Sequence, residues 1–205
     1  MLIVLLFSLI FYAHGSQPAE FEGRKVLIIG ASSGMGKATA DLIYERGGSV
    51  VYTARSLDKM KAHLVGKDSK RVLALKCDAG VGGDIKNAVD EAAKFMGGLD
   101  GLLFVPTWVE GPFAFKDAVA ARRAQSDLSS AFKWNVLLFV ESFECALPYL
   151  LQSKHSSVAS ISSIAVEMTG LYHYSATKAA LESMTKSLAK EYIGQIRVNT
   201  FRVSF

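Results

Sequence analysis

The strongest constraint on the architecture of this chain is the segment Lys25-Val-Leu-Ile-Ile-Gly30-Ala-Ser-Ser-Gly34-Met-Gly36. Its first five residues form an apolar run typical of a buried parallel strand. The glycines that follow permit a tight turn and a close approach of the backbone to a pyrophosphate, and the helix that opens there offers unpaired N–H groups. We interpret the segment as strand, phosphate-binding turn and helix. A glycine-rich turn without a ligand is the alternative.

Apolar strand candidates alternate with helical patterns along the rest of the chain. Further strands are predicted over 49–53, 71–76, 101–105, 157–162 and 196–200, and helices over 37–46, 84–96, 127–151 and 174–192. Strands joined by crossover helices form right-handed βαβ units and a parallel sheet. We therefore predict an α/β fold, a Rossmann-type doubly wound parallel sheet of about six strands in three αβα layers, as a single domain over 24–205.

Composition and charge limit the function classes. Of the 205 residues, 50% are apolar and 20% are charged, which suffices for one domain with a sizeable core. The net charge is +4 and the Lys and Arg residues are scattered, so we expect no nucleic-acid partner. The sequence has no CxxC motif and no ligand-like histidine spacing, and Cys77 and Cys145 fall in predicted buried segments. We therefore expect no catalytic metal.

The first 15 residues indicate a targeting segment. An uncharged apolar run ends at Ala13 and is followed by His14-Gly15, which places small residues where signal peptidase cleaves. The run is shorter than the ~20 apolar residues of a bilayer span. We predict the secretory pathway, in the lumen or membrane of the endoplasmic reticulum. Cleaved signal peptide, retained membrane anchor and a non-functional leader on a cytosolic protein all stay open.

Tyr174 and Lys178 lie one helical turn apart in the segment Tyr174-Ser-Ala-Thr-Lys178. Residues at i and i+4 share a helix face, so the Lys178 ammonium can lower the pKa of the Tyr174 phenol by stabilising the phenolate. A positioned proton donor needs that adjustment. A solvated helix face carrying the same pair by coincidence is the alternative.

Seven ordered features make residues 24–205 resemble the short-chain dehydrogenase/reductase family. They are the Gly30/Gly34/Gly36 turn, Asp78 after the third strand, Leu99-Asp-Gly-Leu102, Asn135, Ile161-Ser-Ser163, Tyr174-x-x-x-Lys178 and Ile196-Arg-Val-Asn199. The resemblance implies that Tyr174 is the general acid/base and that Lys178 holds the nicotinamide ribose. It also implies that Asn135 anchors a water of the proton relay and that a serine polarises the substrate carbonyl.

These matches define the predicted site. The predicted catalytic residues are Asn135, Ser163, Tyr174 and Lys178. The predicted cofactor contacts are Gly30, Ser32, Ser33, Gly34, Met35, Gly36, Arg55, Asp78, Tyr174 and Lys178. Asp78 is interpreted either as an adenine contact or as an aspartate that caps a turn.

The cofactor type depends on the end of the second strand. An acidic residue there would accept a hydrogen bond from the ribose 2′-hydroxyl of NAD, but this chain has Ala54 followed by Arg55. An arginine pairs with a 2′-phosphate by charge-assisted hydrogen bonds. We predict NADP(H), with a surface arginine that opens the next helix as the alternative.

Three departures from the family pattern put activity in doubt. Residues Phe104-Val-Pro-Thr107 replace the usual Asn-Asn-Ala-Gly, and Pro106 removes an N–H donor. The serines lie closer to Tyr174 than in the family, whose usual spacing falls here on Ile161, so Ser163 is the expected equivalent and Ser162 the alternative. The chain stops at Phe205, before the seventh strand that the family usually has, which would leave the sixth strand as an open edge.

Two function hypotheses follow. The first is an NADP(H)-dependent oxidoreductase that interconverts a carbonyl and an alcohol, with a small and lipophilic substrate. The second is an impaired or inactive truncated product that binds a dinucleotide or dimerises. The family also implies a homodimer or tetramer through helices 127–151 and 174–192, although core packing explains at least one apolar face of each helix.

Overall fold

The computed structural model of the protein describes residues 20–106, 128–169 and 172–204. The predicted leader over residues 1–15 lies outside the described residues and stays a prediction. None of the helices formed by the described residues is long and apolar enough to cross a membrane.

Six parallel strands form one sheet in the order β3-β2-β1-β4-β5-β6. The strands are Lys25–Ile29 (β1), Ser49–Ala54 (β2), Val72–Lys76 (β3), Gly101–Phe104 (β4), Ser157–Ser163 (β5) and Arg197–Val203 (β6). The chain builds β2 and β3 on one side of β1 and then returns to place β4 on the other side. This reversal opens a crevice at the carboxyl ends of the strands, where ligands bind in open α/β sheets.

Helices cover both faces of the sheet. They are Gly34–Glu45 (α1), Leu57–His63 (α2), Asp84–Met96 (α3), Leu128–Phe132 (α4), Leu138–Leu150 (α5) and Tyr172–Glu191 (α6). A π-helical turn, Lys133–Leu137, joins α4 to α5, and a 3₁₀ turn, Ile164–Glu167, follows β5. The predicted α/β fold with a Rossmann-type parallel sheet is confirmed.

Two apolar layers hold the sheet between its helices. Successive residues of β1 point to opposite faces, so Leu27 and Ile29 join the layer under α3 and α5, while Val26 and Ile28 join the layer under α1. Both layers are needed because a parallel sheet exposes two apolar faces.

The predicted elements differ from the observed ones mainly in two places. Helix α2 follows Arg55, as the alternative interpretation of that residue anticipates, but no range is predicted for it, because its seven residues, Leu57–His63, are too few to show a helical period clearly. The helix predicted over 127–151 is interrupted by the π-turn, which apolar spacing does not reveal.

The apolar stripe on α6 serves mostly the core. Ala180, Met184 and Leu188 pack against the layer under α5, whereas Ala176 and Ala179 are exposed. Core packing therefore explains one face of α6, and subunit association stays a prediction.

Candidate active site

A cleft of about 330 Å³ opens at the carboxyl ends of β1, β2 and β3. Its lining is Ile29, Gly30, Ser32, Ser33, Ala54, Arg55, Cys77, Ala79, Pro106 and Trp134. The predicted contacts Gly30, Ser32, Ser33 and Arg55 therefore meet at one cavity, whose lining also includes Pro106 and Trp134. Within the described part of the chain, the lining does not include the other predicted contacts, which are Gly34, Met35, Gly36, Asp78, Tyr174 and Lys178.

The glycine turn is built by close packing. A Cβ on Gly36 would lie 2.1 Å from the carbonyl oxygen of Gly30, so only glycine lets α1 start this close to the strand. Gly30 itself has a φ of +88°, which favours glycine, and a Cβ there would lie 3.1 Å from Pro106 Cδ. Ser33 and Gly34 are exposed at the start of α1, where the first backbone N–H groups of a helix have no partner within the helix.

Helix α2 also contacts the glycine turn, through the side chain of His63. The Nε2 atom of His63 lies 3.1 Å from the carbonyl oxygen of Ser32. Because a carbonyl only accepts, this contact assigns the imidazole hydrogen to Nε2. His63 ends helix α2, for which the sequence predicts no range, and no local pattern predicts its contact with Ser32, 31 positions away.

Arg55 and Asp78 follow the neighbouring strands β2 and β3. Arg55 is exposed at the cleft, directly after buried Ala54. The Asp78 carboxylate accepts a hydrogen bond from the Gly80 N–H at 3.0 Å, which is the turn-capping role considered for it. Met35 is half-buried and packs against the apolar layer under α1.

Tyr174 and Lys178 are both buried in the first turns of α6. The Lys178 Nζ lies 5.5 Å from the centroid of the Tyr174 ring and donates a hydrogen bond of 2.7 Å to the carbonyl oxygen of Ile161 in β5. Burial lowers the pKa of Lys178 to about 8. The pair thus shares a helix face as predicted, but that face is turned into the protein.

Asn135 approaches the same helix from the π-turn. It is fully buried, and its Nδ2 donates to Thr177 Oγ1 at 3.1 Å, while Thr177 Oγ1 donates to the Tyr174 carbonyl oxygen at 2.8 Å. These two bonds connect Asn135 to the backbone of the helical turn that carries Tyr174. Single π-turns within helices occur often at functional sites, where they redirect a side chain.

The two serines at the end of β5 have different partners. Ser162 Oγ donates to Glu182 Oε1 at 2.7 Å, and Glu182 in turn accepts two hydrogen bonds from Arg202, at 2.7 and 2.8 Å. Ser163 Oγ accepts a bond of 3.1 Å from the Ala165 N–H at the start of the 3₁₀ turn. The hydroxyl hydrogen of Ser162 is therefore committed to a carboxylate, whereas the described contact of Ser163 leaves its hydrogen available to donate.

Comparison with known proteins identifies the family to which this chain belongs. The sequence model described as "short chain dehydrogenase" matches residues 24–204. The chain belongs to the short-chain dehydrogenase family.

The relatives of this short-chain dehydrogenase include reductases. It is 29% identical over 199 residues to 3-oxoacyl-[acyl-carrier-protein] reductase FabG of Thermotoga maritima, covering 91% of this chain and 75% of that protein. It is 29% identical to carbonyl reductase family member 4 of Xenopus tropicalis, covering 87% and 73%.

Solved structures of short-chain dehydrogenases have the same fold. One from Brucella melitensis, titled SDR:Glucose/ribitol dehydrogenase, aligns with a TM-score of 0.77 and 28% identity over 89% of this chain and 75% of that one. Another from Burkholderia cenocepacia, in complex with NADP, aligns with a TM-score of 0.75 and 26% identity over 88% and 73%. The family binds a nicotinamide dinucleotide, and the turn in which Gly36 and Gly30 pack without side chains fits such a ligand.

The altered segment at the end of β4 changes the floor of the cleft in this short-chain dehydrogenase. Phe104 is buried and its ring meets that of Phe139 edge to face, with centroids 6.0 Å apart. Pro106 lies against Gly30 and lines the cleft. Apolar packing thus fills the position where the family pattern has asparagines, and the cleft stays open above it.

Proposed function

We propose that this short-chain dehydrogenase is an NADP(H)-dependent oxidoreductase that interconverts a carbonyl and an alcohol. The observation that carries the proposal is a buried Tyr174–Lys178 pair, linked to Asn135, whose neighbour Trp134 lines the cleft that also contains the glycine turn and Arg55. When bound, the nicotinamide supplies or accepts the hydride.

Tyr174 is the proposed proton donor in the reducing direction. Hydride addition develops negative charge on the carbonyl oxygen, and hydroxyl donors close to that oxygen stabilise it. Ser163 is the proposed second donor, and the commitment of Ser162 to Glu182 supports this choice. Asn135 keeps the first turn of α6 in position through Thr177, in addition to its proposed role in the proton relay.

Lys178 is proposed to act on Tyr174 through its charge. Its Nζ is buried, close to the Tyr174 ring, and fixed by the Ile161 carbonyl. Because burial lowers the pKa of Lys178 to about 8, the ammonium and the neutral amine are close in free energy near that pH. The amine is therefore poised to take part in proton transfer, and a ligand hydroxyl that hydrogen-bonds to it would favour the cation.

Preference for NADP(H) over NAD(H) rests on Arg55. The side chain is exposed at the cleft, and the preceding residue is Ala54 rather than an acid. A guanidinium binds a phosphate through paired hydrogen bonds, whereas a 2′-hydroxyl offers it no charge.

A lipophilic substrate is supported by three exposed apolar side chains near the proposed donors. Ile164 is 41% exposed and Met168 38% exposed in and after the 3₁₀ turn that follows Ser163, and Tyr172, two residues before Tyr174, is 55% exposed. Apolar groups that stay exposed beside a reaction centre form a surface for an apolar substrate.

The test is NADPH binding followed by turnover on a panel of small ketones, for wild type and Tyr174→Phe. We expect wild type to bind and turn over, and Tyr174→Phe to bind equally while turnover falls by about 10²–10⁴ fold. Tyr172→Phe, an exposed neighbour in the same helical turn, is the matched control and should keep most of the turnover.

Binding without any Tyr174-dependent turnover would contradict the proposal and favour the non-catalytic dinucleotide-binding product. That second candidate is motivated by Pro106, which lies against Gly30 in the floor of the cleft.

Location and assembly are proposed on narrower grounds. A secretory-pathway location rests on the apolar segment before His14 alone, and processing of the full chain in microsomes would test it. A homodimer or tetramer is proposed through α5 and α6, supported by exposed Leu137 and Ala179, and the mass in solution would test it.

A further inference from the structure

The cleft has an aromatic wall that neither the sequence motifs nor the proposed chemistry uses. Trp134 is half-buried in the π-turn, directly before Asn135, and its indole lines the cleft together with Arg55 and Ala79. The other apolar lining side chains are small or aliphatic, so the indole is the largest apolar surface available to a ligand there.

The position of Trp134 assigns it to one end of the site. Ala54 ends β2 and Arg55 follows it, and Cys77 and Ala79 follow β3, on the side of β1 that receives the adenosine half of a dinucleotide in this sheet topology. The Tyr174–Lys178 pair lies against β5, on the opposite side of β1. Consecutive residues, Trp134 and Asn135, therefore serve opposite ends of the site.

Gly80 holds the indole in place. A Cβ on Gly80 would lie 2.8 Å from Trp134 Cζ2 and 2.9 Å from Cη2, so the ring edge rests on the glycine itself. Gly80 does not have a positive φ, so its backbone conformation does not require glycine. Because the conformation suits any residue, the missing side chain serves the approach of the indole.

We propose that the Trp134 indole is the principal apolar contact for the adenosine half of the dinucleotide, with Gly80 as its support. The inference rests on the proposed function, since it concerns the same cleft. An adenine ring offers two flat apolar faces, and aromatic side chains contribute strongly to binding such bases. Arg55 supplies charge at the same end, so the two side chains together recognise a phosphorylated adenosine.

Fluorescence tests the contact directly. The chain has two tryptophans, Trp108 and Trp134, so in a Trp108→Phe variant the tryptophan emission comes from Trp134 alone. We expect adenosine 2′,5′-bisphosphate and NADPH each to change this emission in a saturable way. The bisphosphate lacks the nicotinamide, so its signal reports the adenosine end without turnover.

Two pairs of variants give the size of the effect. Trp134→Ala should raise the Kd for both ligands by about tenfold, and Trp134→Phe should restore most of the affinity. Gly80→Ala should displace the indole and also raise the Kd, whereas Gly82→Ala, in the same loop but with open space around its Cβ, should leave it unchanged. If Trp134→Ala does not fold, the glycine pair and the emission of wild-type Trp134 decide.

The outcomes separate this inference from the proposed function. NADPH binding and turnover with unchanged Trp134 emission, and with Gly80→Ala equal to Gly82→Ala, would overturn the inference alone. An absence of any NADPH binding by the wild-type chain would overturn both.

Discussion

The dinucleotide end of the site and the end that carries Tyr174, the proposed proton donor, are built in opposite ways. At the first, Gly30 and Gly36 bring backbone against backbone, and the polar groups that face a ligand are exposed. At the second, Asn135, Tyr174 and Lys178 are buried side chains joined by hydrogen bonds to Thr177 and to Ile161.

The difference predicts how each end fails. A turn that depends on missing side chains is sensitive to added volume, whereas a buried polar group is sensitive to the loss of its partner or of its charge. Substitutions that act on only one end should therefore separate binding from chemistry.

Gly36→Ala should have the largest effect and act on the dinucleotide end. Its Cβ would lie 2.1 Å from the Gly30 carbonyl oxygen, so the free energy of unfolding should fall by about 3 kcal/mol and NADPH binding should be lost. Gly34→Ala meets no atom within 4 Å but has a φ of +55°, and should cost about 1 kcal/mol. Urea unfolding and NADPH titration measure both. Equal effects of the two variants would contradict the close-packing explanation.

Lys178→Met should act on the proton-donor end, lowering turnover by roughly a hundredfold while the protein stays folded. In the wild-type protein, burial lowers the pKa of Lys178 from its ordinary 10.5 to about 8. Between these pH values the unfolded chain therefore binds more protons than the folded protein. The free energy of unfolding of wild type should therefore rise with pH across this window, relative to Lys178→Met, by at most about 1.4 kcal/mol per pH unit.

The control for this pH dependence is Lys190→Met, an exposed lysine on the same helix. Urea unfolding over the window should give this variant the slope of wild type. A Lys178→Met protein that kept the wild-type slope would show that another group causes it.

Glu182→Gln should lower the stability of the protein near the proposed proton donors without changing Tyr174 or Ser163 themselves. It removes the paired bonds with Arg202, so the free energy of unfolding should fall by about 1–2 kcal/mol with turnover per folded molecule unchanged. Bonds from Arg202 lower the pKa of Glu182 below its ordinary 4.5. The stabilisation is therefore present above pH 4.5 and is lost as pH falls through the lowered pKa, and the variant should lack this part of the acid sensitivity.

Glu167→Gln is the matched control, because Glu167 pairs with the same arginine but its side chain is 73% exposed. Its effect should stay below about 1 kcal/mol. Denaturation at neutral and acid pH measures the free energy of unfolding of both variants. A larger decrease for Glu167→Gln would show that Glu167, and not Glu182, is the main stabilising partner of Arg202.

His63→Ala should give the smallest effect, at the dinucleotide end. Loss of the bond to the Ser32 carbonyl should raise the KM for NADPH about threefold and leave kcat unchanged. His63→Gln, which retains a donor, should recover part of the change, and exposed Lys61→Ala on the same helix should have no effect. Steady-state kinetics with varied NADPH would measure this, and a fall in kcat alone would contradict a role at the turn.

The local sequence predicts part of each end of the site, but not the choice between the two serines. The β1–turn–α1 unit and the shared face of Tyr174 and Lys178 follow from glycine placement and helical spacing, both of which act over a few residues. The proposed choice of Ser163 over Ser162 rests on Glu182, which lies 20 residues from Ser162 on another element. Spacing along the chain carries no information about such a partner.

The contacts of the site that the sequence did not predict also join residues that are distant along the chain. Trp134 reaches Gly80, and His63 reaches Ser32, across the sheet topology rather than along the chain. The effect of Pro106 was visible as a departure, but its packing against Gly30 required β1 and β4 to be neighbours. Contacts of this kind can be predicted only when the strand order is known.

The π-turn Lys133–Leu137 also has an evolutionary consequence. A π-turn holds one residue more than an α-helical turn, so α4 and α5 are out of phase by about 100°. A one-residue deletion within it would restore a continuous α-helix and rotate α4 relative to α5, leaving every sheet pairing intact. A deletion, which elsewhere in a helix displaces the core, would here re-aim Trp134 and Asn135, and with them the contacts that are proposed for the ligand.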